Sequence, residues 1–210
     1  MKRRIALECL CGFLAFVQSI TAQEPSPSPT SVSPDKQWEY RCRDGLWSSI
    51  VNPGTNKMVL DLSNELEVPY CQGAQVIWAP DSKRFAFNYR PPHASHLTYK
   101  TVAFYQLHGD KWVALLSPVD DRSEHTQLMQ LAKEQVPKSA YPRRVDPVRD
   151  ILKVREWAGF DTAILYAPCY GQTSGQLEAA FPFTVKSDAQ GNWTIVKTHR
   201  MSEKEIEDEQ

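Results

Sequence analysis

The chain has 210 residues, 41% of them hydrophobic, and its 24 Lys and Arg nearly balance 25 Asp and Glu for a formal charge of −1. That length allows one domain with a real core. The balanced charge argues against a nucleic-acid partner, which needs a clustered positive surface.

Residues 1–23 read MKRRIALECLCGFLAFVQSITAQ. Lys2, Arg3 and Arg4 precede a mostly apolar run from Ile5 to Ile20, and Ala22 offers a small residue for cleavage. This is the layout of a secretory signal peptide, with Glu8 as an unfavourable charge inside the run. The run is short for a membrane span, so no stable insertion is expected after cleavage; an uncleaved anchor is the alternative. Removing the signal, with three basic residues and one acid, takes the formal charge from −1 to −3. The protein is expected to be secreted or periplasmic.

Cys9 and Cys11 leave with the signal, and Cys42, Cys71 and Cys169 remain. An exported chain with three cysteines has room for one disulfide bond. Cys42–Cys71 would close a loop across two strands, Cys42–Cys169 would join the ends of the domain, and three separate thiols are the third possibility.

EPSPSPT at the start of residues 24–36 opens a Pro/Ser-rich segment with nothing apolar to bury, expected to be a disordered linker. A single β-rich domain is expected over 37–200. WEYRC (38–42) and LWSSIV (46–51) flank the tight-turn signal Asp44-Gly45, and KMVLDL (57–62) follows a turn at Asn52-Pro53-Gly54. QVIWA (75–79), RFAFNYR (84–90), TVAFYQL (101–107) and KWVALL (111–116) then form a four-stranded meander. RFAFNYR alternates, placing Phe85, Phe87 and Tyr89 on one face and Ala86 and Asn88 on the other.

Residues 120–137 predict a helix between two meanders, with Asp120, Asp121 or Ser123 as cap, Leu128, Leu131 and Ala132 at helical spacing, and Pro137 as its stop. The second meander comprises VREWAG (154–159), TAILYAPC (162–169), AAFPFTV (179–185) and NWTIVKT (192–198). It follows the plan of the first: Trp78 matches Trp157, Tyr89 matches Tyr166, Pro91 matches Pro168 and Trp112 matches Trp193. Duplication and similar strand patterning both produce such matches. Residues 201–210 read as an acidic, solvated tail.

VIWAPDSKRFAFNYR followed by TVAFYQLHGDKWVALLS, about residues 75–117, resembles one blade of a TolB-type β-propeller. Trp78, Pro80, Asp81 and Lys83 match the Trp-Ser-Pro-Asp-Gly-Lys turn of that family, whereas Ala79 and Ser82 depart from it. The resemblance implies that Pro80 fixes the turn, that Asp81 bonds back to its backbone, and that the aromatic strand packs between sheets; it implies no catalytic residue. Propellers close with four to eight blades, so a compact sheet pair or half-open barrel is expected instead of a closed ring. The chain as a whole resembles the small secreted bacterial proteins of unknown function, which implies export and no particular activity.

His93-Ala94-Ser95-His96 is the sharpest polar cluster, in the long loop of the first meander. Two imidazoles could share a metal, but no third ligand stands at a recognisable spacing. Cys169 would be a nucleophile only beside a histidine, among His93, His96, His108, His125 and His199. Gly171–Gly175 lacks the spacing of a nucleophile elbow, and Asp120-Asp121 is explained by helix capping. Trp78, Trp112, Trp157 and Trp193 read as core. No catalytic, cofactor-binding or metal residue is therefore assigned. The expected protein is a non-catalytic β domain binding a protein or polymer partner at the cell envelope, with a metal-dependent enzyme or hydrolase at His93 and His96 as the alternative.

Overall fold

A computed structural model describes residues 32–67, 71–90, 100–115, 153–170 and 177–208. The predicted signal peptide, most of the linker, and the predicted helix between the meanders lie outside these residues.

The described chain is mainly β and forms three antiparallel sheets. The first contains β1 (Glu39–Arg43), β2 (Trp47–Asn52) and β3 (Lys57–Asp61), followed by a short helix, α1 (Leu62–Glu65). The second is the meander β4 (Gln75–Trp78), β5 (Arg84–Tyr89), β6 (Thr101–His108) and β7 (Lys111–Leu115). The third is the meander β8 (Lys153–Trp157), β9 (Thr162–Tyr170), β10 (Leu177–Ser187) and β11 (Trp193–Thr198).

Turn chemistry sets these registers. Asp44 and Gly45 both have positive φ (55° and 70°), and the Leu46 N–H donates to the Arg43 carbonyl at 3.0 Å. Both central residues of this turn are left-handed, and Arg43 pairs with Trp47 across a three-residue connection. In the Pro80-Asp81 turn, Asp81 Oδ1 accepts the Lys83 N–H at 3.0 Å and the Ser82 N–H donates to the Ala79 carbonyl. Ser82 sits at φ 58°, a conformation glycine adopts freely. Its hydroxyl accepts the Asp35 N–H at 3.0 Å, tying the segment before β1 to the second sheet.

The sheets stack in series rather than as the expected pair. Strand β5 explains why. Phe85 and Phe87 face the first sheet, where they are buried with Ile50, Leu60 and Leu62. Ala86 points the other way and is buried with Phe104, Leu165, Phe181 and Phe183 between the second and third sheets. A strand alternating in character would ordinarily leave one face to water. Here the small and polar face is covered as well, because its polar members find backbone partners across the gap.

Asn88 makes the central contact. Its Nδ2 donates to the Val154 carbonyl and its Oδ1 accepts the Val154 N–H, both at 2.8 Å and both buried. The amide thus pairs with β8 as a strand residue would. Two further stitches run the same way: the Trp157 indole N–H donates to the Ile77 carbonyl at 2.9 Å, and Arg84 Nη1 donates to the Phe160 carbonyl at 3.0 Å. Between the first and second sheets, Trp38 meets Trp112 edge-on at 5.7 Å and Tyr40 contacts Phe87 at 5.7 Å. The disulfide joins Cys42 on β1 to Cys71, in the segment that leads into β4, where the Cys71 N–H also donates to the Gly45 carbonyl at 3.0 Å. Such a bridge contributes about 2–4 kcal/mol by restricting the unfolded chain.

The matched tryptophans occupy corresponding places. Trp78 lies 5.8 Å from Trp112 in the second sheet, and Trp157 lies 6.4 Å from Trp193 in the third. All four pack in the core clusters.

Both ends of the domain differ from the sequence reading. At the linker boundary, residues 32–36 are already folded: Val32 bridges Glu39, and the buried Ser33 accepts the Trp38 N–H at 3.0 Å. At the C-terminus, part of the acidic tail forms α2 (Glu203–Glu207). Ser202 caps it by accepting the Glu205 N–H, and the Glu205 carboxylate returns a bond from the Ser202 N–H at 2.7 Å. Met201 and Ile206 then bury against Tyr166, Leu177 and Ala180. Two apolar residues at the right positions outweigh the charge of their neighbours.

Replacing Asn88 by Ala leaves the Val154 N–H and carbonyl without this partner inside the protein. A loss of about 2–4 kcal/mol is expected in denaturant unfolding. The Glu205 carboxyl is held below its ordinary 4.5, first by the Ser202 N–H, then by the Ser202 hydroxyl, with His199 adding a smaller effect. A depressed carboxyl stabilises above its unfolded pKa and loses that contribution as pH falls through the folded value. Amide protection at Ile206 and Asp208 should therefore hold at neutral pH and fall in acid below about pH 4.5. Glu205→Gln, which keeps an acceptor, should flatten that dependence.

Candidate functional site

The stitches between the second and third sheets fix how their ends align. Asn88, near the end of β5, meets Val154 at the start of β8, while Arg84 at the other end of β5 meets Phe160 in the β8–β9 turn. Lys153 pairs with Tyr166, so the start of β8 lies at the end where β9 finishes and β10 begins. Residues 90 and 100, where β5 ends and β6 begins, and residues 170 and 177, where β9 ends and β10 begins, consequently share one end of the stack. His108, exposed beside the Gly109 turn, lies at the opposite end.

Basic side chains gather at this shared end. Lys100 precedes β6 and donates from Nζ to the Gly73 carbonyl at 2.7 Å. Gly73 has φ +72°, and a Cβ there would stand 3.1 Å from Lys100 Nζ. Glycine thus serves both the backbone conformation and the approach of the ammonium group. Burial lowers the Lys100 pKa, and the nearby cations of Lys153 and then Arg90 lower it further. On β8, Lys153 Nζ lies 5.4 Å from the centre of the Tyr166 ring, and Arg155 Cζ lies 5.2 Å from it. Both are within cation–π range of a ring that is itself buried.

Charge is arranged differently elsewhere. Arg41 pairs with Glu39 at 2.8 Å, Lys186 with Asp161 at 3.4 Å, and His199 lies 3.7 Å from Glu205. The first two contacts bring opposite signs together, whereas at the shared end the cations of Lys153 and Arg90 act on Lys100, just before β6.

The sequence candidates are distributed as follows. His93, His96 and His125, and likewise Asp120-Asp121 and Gly171–Gly175, lie outside the described residues. The Cys169 backbone pairs with Ala179 in the β9–β10 ladder, while its side chain is outside the described set. Cys42 and Cys71 are consumed by the disulfide. Among the described residues no group of three His, Cys, Asp or Glu side chains could hold a metal ion. Trp78, Trp112 and Trp157 are at least nine-tenths buried.

The basic end was missed because its members are isolated in sequence. Lys100 closes the polar loop PPHASHLTYK, and Lys153 precedes the second meander by one residue. Only the parallel alignment of the two sheets brings them together. Tyr105 is a further polar group in the core, its hydroxyl raised in pKa by burial first and then by Glu65, without a hydrogen bond in good geometry.

Comparison of the chain with models of known protein families and with curated protein sequences yields no match.

Tyr166→Leu removes the ring beneath Lys153 and Arg155 and part of the surface that α2 packs on. The expected result is a loss of about 1–3 kcal/mol, with the largest rise in amide exchange at residues 201–208.

Proposed function

We propose that the protein is an exported, non-catalytic β domain that binds a protein or polymer partner at the cell envelope. The binding surface is the end of the stack that carries Arg90, Lys100 and Lys153. The observation that carries this reading is that both meanders launch their longer polar connections, 91–99 and 171–176, from that end. Rigid sheets presenting loops on one side are a common basis for recognition.

Export is supported by the basic and apolar pattern of residues 1–23 and by the Cys42–Cys71 bond, since disulfides persist in oxidising compartments. Among the described residues no helix is long and apolar enough to cross a membrane. The blade-like sheets support the TolB-type reading of residues 75–117, in which Asp81 bonds back to its turn as that family's pattern implies. The three sheets would then be an arc of blades serving as a scaffold.

The test is site-specific photo-crosslinking in the producing cell. Probes at residues 100 and 153 should give discrete adducts, and probes at 110 and 190, in turns at the opposite end, should give none. Equal labelling at both ends would refute the placement. N-terminal sequencing of the mature protein should begin after Gln23, and an intact Met1 on intracellular material would refute export. Stoichiometric metal in the purified protein, lost in a His93→Ala/His96→Ala variant, would replace this reading with the metal-enzyme one.

A further inference from the structure

Arg84 is a buried cation without a counter-ion among the described residues. It is 8% exposed, and the carboxylate nearest to its contact in sequence, Asp161, pairs with Lys186 instead. Arg84 Nη1 donates to the Phe160 carbonyl at 3.0 Å, whereas Nε is buried without a hydrogen-bond partner. A guanidinium carries five N–H donors, and a neutral amide would reach one carbonyl as well. Burying an unpaired charge is costly, so a tether between sheets does not account for the choice of arginine.

Strand register shows what lies beside it. Arg84 stands opposite Gln106 on β6, and Gln106 stands opposite Val113 on β7. Residues paired in this way project to one face of the sheet. That face is turned to the third sheet, because Ala86 and Phe104, the next pair along, are buried with Leu165 and Phe181. Along the row, exposure rises from 8% at Arg84, through the half-buried Gln106, to 45% at Val113. The third sheet meets this region with two turns, which the Ser187 N–H joins by donating to the Asp161 carbonyl at 2.8 Å. Phe160 lies over Arg84, and Gly191 lies against Leu115, where a Cβ would stand 2.9 Å from Leu115 Cδ2. The result is a notch, shut at β5 and open at β7. Gln106 Oε1 is buried without a partner, and so is the indole N–H of Trp193, whose ring lies 4.4 Å from Phe104.

We propose that this notch binds a small monocarboxylic acid with an apolar body. The carboxylate sits on Arg84, whose Nε edge offers two parallel N–H groups matched to two carboxylate oxygens. Arg84 is the one charged member of its row, so a monoanion balances it. Val113 and Phe160, 45% and 59% exposed, give the body of the acid apolar surface at the open side. An apolar lining with a few placed polar groups is the usual composition of a small-molecule site.

The experiment is titration of the mature protein with benzoate and with octanoate, followed by calorimetry and by the rise in melting temperature. Saturable one-site binding of at least one acid is expected. Benzamide and octanamide, which keep the shape and lack the charge, should bind about ten-fold more weakly or worse. Val113→Trp fills the open side of the notch from an exposed position, and should weaken binding about ten-fold while the protein still melts as the parent does. Val196→Trp, exposed on β11, should leave binding unchanged. Arg84→Lys keeps the charge and loses the paired N–H groups, and should weaken binding by a similar factor even where it lowers stability.

Binding of neither acid, equal binding of the amides, or indifference to Val113→Trp overturns the site. Competition by inorganic phosphate at equal concentration overturns the choice of a carboxylate. The notch lies at the end of the stack opposite Arg90 and Lys100, so its failure leaves the binding surface proposed there standing.

Discussion

The alignment of this molecule depends on one side-chain amide. Asn88 gives β8 both a donor and an acceptor at 2.8 Å, so the first strand of the third sheet finds its partner on the face of the second. An apolar residue at that position could fill space, but it could not set the register between sheets. Hydrophobic contact is non-directional, and a reciprocal pair of hydrogen bonds is not. The Trp157 and Arg84 contacts repeat the principle at two other points, so the third sheet is held against translation as well as separation. The shared end of the two meanders follows from that register.

Much of the architecture was legible because local chemistry and strand period agree. Asp44-Gly45 specified a tight turn, and the alternation in RFAFNYR assigned its two faces correctly. The same alternation concealed the number of layers. Ala86 and Asn88 look like a solvent face, and they become an interior one only because another sheet supplies a backbone for Asn88 to bind. Cysteine pairing was undecidable for a related reason: spacing allows several bridges, and Cys71 meets the first hairpin through a contact distant in sequence, its N–H donating to the Gly45 carbonyl. In the acidic tail, charge was the conspicuous feature, while Met201, Ile206 and the Ser202–Glu205 cap determined its structure.

The candidate site was less legible than the fold. Conspicuous sequence features, the paired histidines among them, drew attention to a loop, whereas the basic end is assembled from single residues on separate strands. No motif marks such a surface. It emerges when two sheets of the same plan are laid side by side with the ends of corresponding strands on one side. Local electrostatics and net charge are therefore different statements about this chain: in a slightly acidic molecule, Lys153 and Arg90 place positive charge beside Lys100.

The serial order of the layers bears on how the molecule comes apart. The aromatic cluster containing Ile50 and Phe85 joins the first sheet to the second, and the cluster containing Phe104 and Phe181 joins the second to the third. A chain organised this way behaves like a short stack of plates: an outer plate can detach while the remaining interface survives. The N-terminal plate is tied by Cys42–Cys71 to the segment entering β4, whereas among the described residues the C-terminal one is held to the second sheet by side-chain contacts. Peeling should thus begin from the carboxyl side, exposing the polar stripe of β5 before its aromatic one.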